Sequence, residues 1–244
     1  MKHLVFRLYG PLAAWGEIAV GESRHSAVYP SKSALLGLLA AALGIRRDEE
    51  EQQAALAAGY LFAVKVLRTG SLLRDYHTTQ VPDSAGKVVY RTRREELIRG
   101  KARLGTILSS REYRCDSMAL VAVRANANAP FTLETIREKL LKPAFLLYLG
   151  RKSCPLAAPL DPVVSDWDSF GQALDEAELK ALMVEPDDEQ RWIPVEYQTR
   201  YYWEGEDSSL KAQQVLTRHD QPFSRRRWQF SQRAENLCIG KGEG

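Results

Sequence analysis

The chain has 244 residues, 45% hydrophobic and 27% charged, which are the proportions of an ordinary globular protein and exclude a disordered one. That length admits one large domain or two small ones. The net charge is +3, from 34 Lys and Arg against 31 Asp and Glu, and this total by itself gives no argument for a polyanionic partner.

The total conceals a split. Residues 65–114 carry twelve basic and five acidic side chains, net +7, and residues 115–160 add a net +3. Residues 161–190 carry one basic and ten acidic side chains, net −9. A phosphate backbone responds to charge within about 8 Å, so the basic middle matters more than the sum. The three cysteines, Cys115, Cys154 and Cys238, are odd in number and lack CxxC spacing. That pattern argues against a zinc site and for a reducing compartment. Arg7 interrupts the first apolar stretch and the longest apolar run is only residues 34–43, so the expected location is the cytoplasm, with no membrane contact.

Residues 4–9 alternate as a strand half-buried on one face, ended by Gly10-Pro11. A long loop follows to Pro30, holding Trp15, Arg24, His25 and Tyr29. Ser31 or Ser33 then caps a helix that is apolar nearly all round to Leu43, with Gly44 as its stop. Asp48-Glu-Glu-Glu opens a second helix that Gly59 ends, and residues 60–68 read as a strand. Periodicity fades over residues 69–114, which read as a basic excursion, a hairpin projecting from the sheet, with a turn cluster at Val81-Pro-Asp-Ser-Ala-Gly86.

Residues 117–124 return to strand. Residues 132–141 form an amphipathic helix with Leu133, Ile136, Leu140 and Leu141 on one stripe, and residues 144–149 form another apolar strand. The order β-α-β-excursion-β-α-β predicts an α+β fold, a ferredoxin-like (RRM-like) βαββαβ domain over residues 1–155. Residues 156–244 read as a small β-rich C-terminal appendage. It contains an acidic, helix-prone segment ending at Glu185-Pro-Asp-Asp, then strands near 191–202 and 211–217.

Four segments carry candidate chemistry. At the loop-to-helix junction, Arg24, Ser31, Lys32 and Ser33 surround free helix N–H groups that favour phosphate; a plain serine cap is the structural alternative. In Leu73-Arg-Asp-Tyr-His-Thr78, the side chains of Arg74, Tyr76 and His77 suit an RNA backbone and an unpaired base, or an acid/base pair. In Tyr148-Leu-Gly-Arg-Lys-Ser-Cys-Pro-Leu156, a tight turn presents Arg151, Lys152 and Ser153 as a phosphate clamp, beside a Cys154 that reads as a packing residue or a nucleophile. In the excursion, Arg91, Arg93, Arg94 and Arg111 interleave with tyrosines, as single-strand binding requires. No Walker A, dinucleotide, HExxH or GxSxG signature is present, and the acidic residues do not cluster as a two-metal nuclease needs, so no cofactor and no metal are expected.

These segments in this order, with Leu8-Tyr-Gly-Pro-Leu-Ala-Ala-Trp-Gly16, Tyr29-Pro-Ser-Lys-Ser-Ala-Leu-Leu-Gly-Leu-Leu39 and Leu43-Gly-Ile-Arg-Arg-Asp48, resemble the CasD-type subunits of type I-E CRISPR Cascade complexes, in the RAMP superfamily. The resemblance covers residues 1–160 well, with Phe230-Ser-Gln-Arg233 as a last anchor. It implies a non-catalytic RNA-binding subunit in antiviral defence that holds the 5′ handle of the CRISPR RNA. It further implies a thumb at about residues 80–111 that kinks this RNA. The partners would be the Cascade backbone subunit and the large PAM-reading subunit, with target DNA reached only through the complex. Trp15, Tyr76 and His77 would cradle bases, and the basic and hydroxyl residues named above would hold phosphates. Type I-C relatives cleave precursor RNA themselves, which leaves a metal-independent endoribonuclease using His77 as the alternative.

Overall fold

The computed structural model describes residues 1–19, 21–83, 89–183, 188 and 191–241. The core is a four-strand antiparallel array. β1 (Lys2–Ala13) lies between β7 (Leu104–Ala125) and β8 (Val163–Asp166), and β5 (Tyr60–Arg68) flanks β7. α1 (Lys32–Leu43) and α2 (Glu50–Gly59) connect β1 to β5, and α4 (Leu133–Leu141) connects β7 to β8.

The strand alternation of residues 4–9 is real, but both faces are buried. Leu4, Phe6 and Leu8 join the larger core under α1, α2 and α4. Val5 joins a second cluster under α5 (Phe170–Glu176) with Trp167, Phe170, Leu174 and Trp203. The acidic segment hides Trp167, Phe170 and Leu174 among its carboxylates, so a one-sided strand was expected. β1 also runs through Gly10-Pro11, because Leu12 and Ala13 pair with Cys115 and Arg114 while the register skips Pro11, which has no N–H to offer.

The helix ends follow their sequence signals. Ser31 Oγ accepts the N–H of Ala34, and Gly44 closes α1 with φ +84°. Thr132 caps α4, which buries Leu133, Ile136 and Leu140 but leaves Leu141 exposed. Residues 144–149 are not a strand. Ala144 and Phe145 donate backbone bonds to Ala42 and Ala41 at the end of α1, and only Tyr148 forms a bridge, to Pro155. The sheet position expected for them is taken by β8, whose Val163 and Val164 sit in the acidic stretch.

The basic excursion is a hairpin. β6 (Ser71–Pro82) pairs with the first half of β7 from Ser71↔Cys115 to Pro82↔Leu104, and α3 (Arg93–Arg99) lies at its far end. Its strands therefore begin nearer the core than residue 80. At their base, Gly70 has φ +70°, and a Cβ there would fall 2.2 Å from the Cys115 carbonyl oxygen. Only glycine fits the bend where β5 gives way to β6. The early loop folds onto this base: β2 (Trp15–Gly16) pairs with β4 (Ser26–Ala27), and β3 (Ser23–Arg24) runs parallel to β7 at Ser110 and Arg111. The turn expected at Val81–Gly86 lies partly outside the described residues, as does most of Glu185–Asp188.

The C-terminal strands continue the core sheet. β9 (Gln198–Trp203) pairs with β5, and β11 (Gln229–Lys241) and β10 (Gln214–Ser224) follow, so one sheet runs β10-β11-β9-β5-β7-β1-β8. A buried charge network locks this extension to α1. Asp220 accepts the backbone N–H of Lys32 at 2.7 Å and two bonds from Arg233 at 2.6 and 2.9 Å. Arg233 also binds Glu235 at 2.5 Å and lies 3.2 Å from Glu204, which holds the Lys32 ammonium at 3.0 Å and the N–H of Phe62. Glu235 accepts from the Tyr29 hydroxyl, and Tyr29 stacks on Tyr202 at 3.7 Å. Burial raises the Glu204 pKa above its ordinary value, against the pull of Lys32 and Arg233. No helix among the described residues is long and apolar enough to cross a membrane.

Asp220→Ala leaves Arg233 short of its bidentate partner in a buried site, and a loss of about 3–5 kcal/mol in urea unfolding is expected. At the hairpin base, Glu112 accepts from Arg74 at 2.8 Å and from the N–H of Ser26, and lies 3.3 Å from His25. The Arg74 bond, then the Ser26 amide and His25, hold the Glu112 pKa below the ordinary value of 4.5, with burial opposing them. A depressed carboxylate contributes stability above its unfolded pKa and loses it as pH falls through the folded one. An NMR titration should therefore place the Glu112 midpoint below 4.5. Arg74→Ala should move it upward.

Candidate nucleic-acid interface

The sequence-predicted residues fall into two groups joined at Arg151. The first lines a groove of about 730 Å³ between the start of α1, the α1–α2 turn and residues 145–152. Ser31, Ser33, Arg151 and Lys152 belong to it. The turn carrying Arg151 is tight: Leu149 N–H bonds the Cys154 carbonyl, and Cys154 N–H bonds that of Arg151. Gly150 has φ +84°, and a Cβ there would lie 1.9 Å from the Ala14 carbonyl oxygen, so a side chain is excluded. Lys152 and Ser153 project outward and are exposed. Cys154 is fully buried, and burial raises its pKa, against opposing effects of Ser153 and Arg151. It packs in the core, where the thiol is shielded from solvent.

The second group lies on the hairpin. Arg151 reaches it, donating to the Glu112 carbonyl at 3.3 Å and lying 4.9 Å from the Tyr113 ring centroid. The register sets Arg24 beside Arg111 on neighbouring strands, both exposed. Arg24 donates to the carbonyls of Gly21 and Ser23. Arg74 and Tyr76 share one face of β6, and Tyr76 is exposed. His77 is on the opposite face, with Nε2 2.6 Å from Asp75 Oδ2. Tyr76 and His77 therefore do not form one cradle. Arg93 is tied to Glu96 and to the Gln80 carbonyl, while Arg91 just before α3 and Arg94 within it are exposed.

Three expectations are corrected. Trp15 is only 4% exposed, packed in the core beside Gly150, and offers no ring to a base. Lys32 is buried and its ammonium is spent on Glu204. The N-terminus of α1 does not await an external phosphate, because Asp220 already fills that position from within the chain and Ser31 serves as a cap.

The groove also holds cations outside the sequence-predicted set. Arg46 and Arg47 enter from the α1–α2 turn, and Arg225 and Trp228 from the β10–β11 turn. With Arg151 and Lys152 the lining has five cations and no acidic residue among the described residues, and Phe145, Leu146 and Tyr148 form its apolar wall. The sequence signal is the run Arg225-Arg-Arg-Trp228, an arginine cluster ending in an aromatic residue.

A family model described as CRISPR-associated protein (Cas_Cas5) matches residues 3–234. The CRISPR system Cascade subunit CasD of Escherichia coli (strain K12) is 38% identical over 169 residues, 65% of this chain and 69% of that protein. Among solved structures, a chain of a CRISPR RNA-guided surveillance complex superposes with a TM-score of 0.65 at 26% identity, covering 98% of this chain and 90% of the other. A second, titled as the crystal structure of a Cas protein, shares the fold with a TM-score of 0.56 at 24% identity, over 98% of this chain and 94% of that one. The resemblance carried by the ordered motifs of residues 1–160 is thus matched along nearly the whole length, and the chain belongs to the Cas5 family of CRISPR-associated proteins.

Proposed function

We propose that this chain is a non-catalytic RNA-binding subunit of a CRISPR Cascade complex, holding the 5′ handle of the CRISPR RNA with a ferredoxin-like core and a projecting thumb. The observation that carries the reading is the groove, with five cations, no carboxylate among the described residues and aromatic walls. A single strand needs cations for its phosphates and flat faces for its bases. The antiparallel order β8-β1-β7-β5, with helical crossovers after β1 and β7, supports the ferredoxin-like core. The β6–β7 hairpin with α3 supplies the thumb. The similar proteins are a Cascade subunit and a chain of an RNA-guided complex, which favours assembly with the backbone subunit and the large PAM-reading subunit in the cytoplasm. Exposed Ile107 and Leu108 on the hairpin offer apolar contact to such a neighbour.

In this reading Ser33, Arg151 and Lys152 bind phosphates in the groove, and the exposed Ser153 extends the contact at its edge. Arg74 and Tyr76 on one face of the hairpin, and Arg24 and Arg111 on the other, extend the cationic surface towards Arg91 and Arg94. Arg151→Ala/Lys152→Ala should weaken handle binding. It should also reduce the log–log salt slope by about 1.4, since each single-strand phosphate left unneutralised removes about 0.7. A scrambled handle bound as tightly as the native one would overturn the reading.

The Asp75–His77 pair favours one alternative, a metal-independent endoribonuclease. A carboxylate that orients an imidazole equips it for proton transfer. Incubation with a CRISPR repeat hairpin in EDTA decides between the two: the binding-module reading expects intact RNA. A product that disappears with His77→Ala would establish the nuclease instead.

A further inference from the structure

The β10–β11 hairpin reaches the groove at its tip, residues 225–228. Ser224 pins that tip to the start of α2, donating to Glu50 and accepting the N–H of Arg227 at 3.1 Å. Trp228 closes the turn with 57% of its surface exposed. Two guanidinium groups lie against its ring, Arg47 at 4.7 Å from the centroid and Arg225 at 5.3 Å. Arg225 is seated over Gly37 of α1, where a Cβ would come within 2.9 Å of its Nη2. The absence of a side chain at Gly37 makes room for this guanidinium.

Neither arginine has a carboxylate partner among the described residues. Burial lowers the Arg225 pKa from its ordinary value, and the like charge of Arg47 lowers it further. Two cations are therefore held together on one indole without a counter-ion among the described residues, at the edge of a groove whose described lining contains no acid. By contrast, Arg93 and Arg99 on α3 each find an acid. An arrangement that keeps like charges adjacent is relieved when an anion enters between them. Paired guanidinium forks match phosphate oxygens better than ammonium groups do.

We propose that Arg47, Arg225 and Trp228 form a nucleotide clamp, in which the two guanidinium groups bind a phosphate of single-stranded RNA and the exposed part of the indole takes its base. The proposal rests on the reading of the groove as an RNA site, and assigns its C-terminal wall. The clamp is sequence-tolerant, because every base has a stacking face. It makes the β10–β11 hairpin a working part of the site.

The test is titration of the full chain with fluorescein-labelled octauridylate, with Arg151→Ala/Lys152→Ala as the groove control. Trp228→Ala should weaken binding about fivefold or more, and Trp228→Phe should recover most of the loss. Arg225→Ala should lower the salt slope by about 0.7. Because Trp228 is exposed and Arg225 has no carboxylate partner among the described residues to leave behind, all three should keep the unaltered thermal midpoint. If Trp228→Ala does not, Arg47→Ala, on the α1–α2 turn, decides by the same salt-slope readout. Unchanged binding by the Trp228 and Arg225 variants alongside weakened binding by the groove control would overturn the clamp and leave the groove standing. Unchanged binding by every variant would overturn both.

Discussion

The position of Asp220 at the start of α1 is the constraint on which the rest of the molecule depends. One carboxylate satisfies a helix N–H and a buried arginine at once, and so fixes the C-terminal hairpin against the helix. Ionic networks of this kind lose much of their Coulomb energy to desolvation, so their main effect is on which arrangement forms. Here Lys32, Glu204, Asp220, Arg233, Glu235 and Arg218 balance in sign, and the groups involved come from α1, β5, the residue that follows β9, β10 and β11. The arrangement sets where β10 runs, and therefore where Arg225 and Trp228 stand relative to Gly37. The width of the groove follows from charges that never touch its contents.

The modest net charge is the sum of separate surfaces. The hairpin's cations are close in sequence, which is why counting residues 65–114 finds them. The groove's cations come from residues 46–47, 151–152 and 225, three stretches that no window joins. The −9 stretch supplies β8 and α5, whose apolar residues seal the second face of the sheet while their carboxylates stay outside.

What the sequence made legible was local. Ser31 and Gly44 mark the ends of α1 because capping is decided within a few residues, and the Leu133, Ile136 and Leu140 stripe marks α4 for the same reason. The fate of Lys32 was not legible, since its partner Glu204 lies 172 residues away. Trp15 looked like a stacking residue because nothing near it in sequence shows that Gly150 will pack beside it. The exchange of residues 144–149 for β8 has a similar cause. Both stretches are apolar enough for a strand, and the choice is made by Ala41 and Ala42, whose carbonyls hold Ala144 and Phe145 at the end of α1. Ser31, Ser33, Arg151 and Lys152 were legible as motifs, whereas Arg225 and Trp228 needed the tertiary path of β10 to gain meaning.

β7 spans 22 residues and is divided between the hairpin and the core near Asp116, whose φ of +54° breaks the extended run. Its core half pairs with β1 across more than a hundred residues of chain, as Leu4↔Val123 shows. Pairing of such high sequence separation is slow to form, because loop-closure entropy is lost before contacts repay it. The hairpin half, by contrast, pairs with the nearby β6. During synthesis the β6–β7 hairpin can therefore zip early and present a preformed edge of β7 on which β1 docks. One strand thus joins two kinds of pairing, a local one that closes a short loop in the projection and a distant one that closes a long loop in the core.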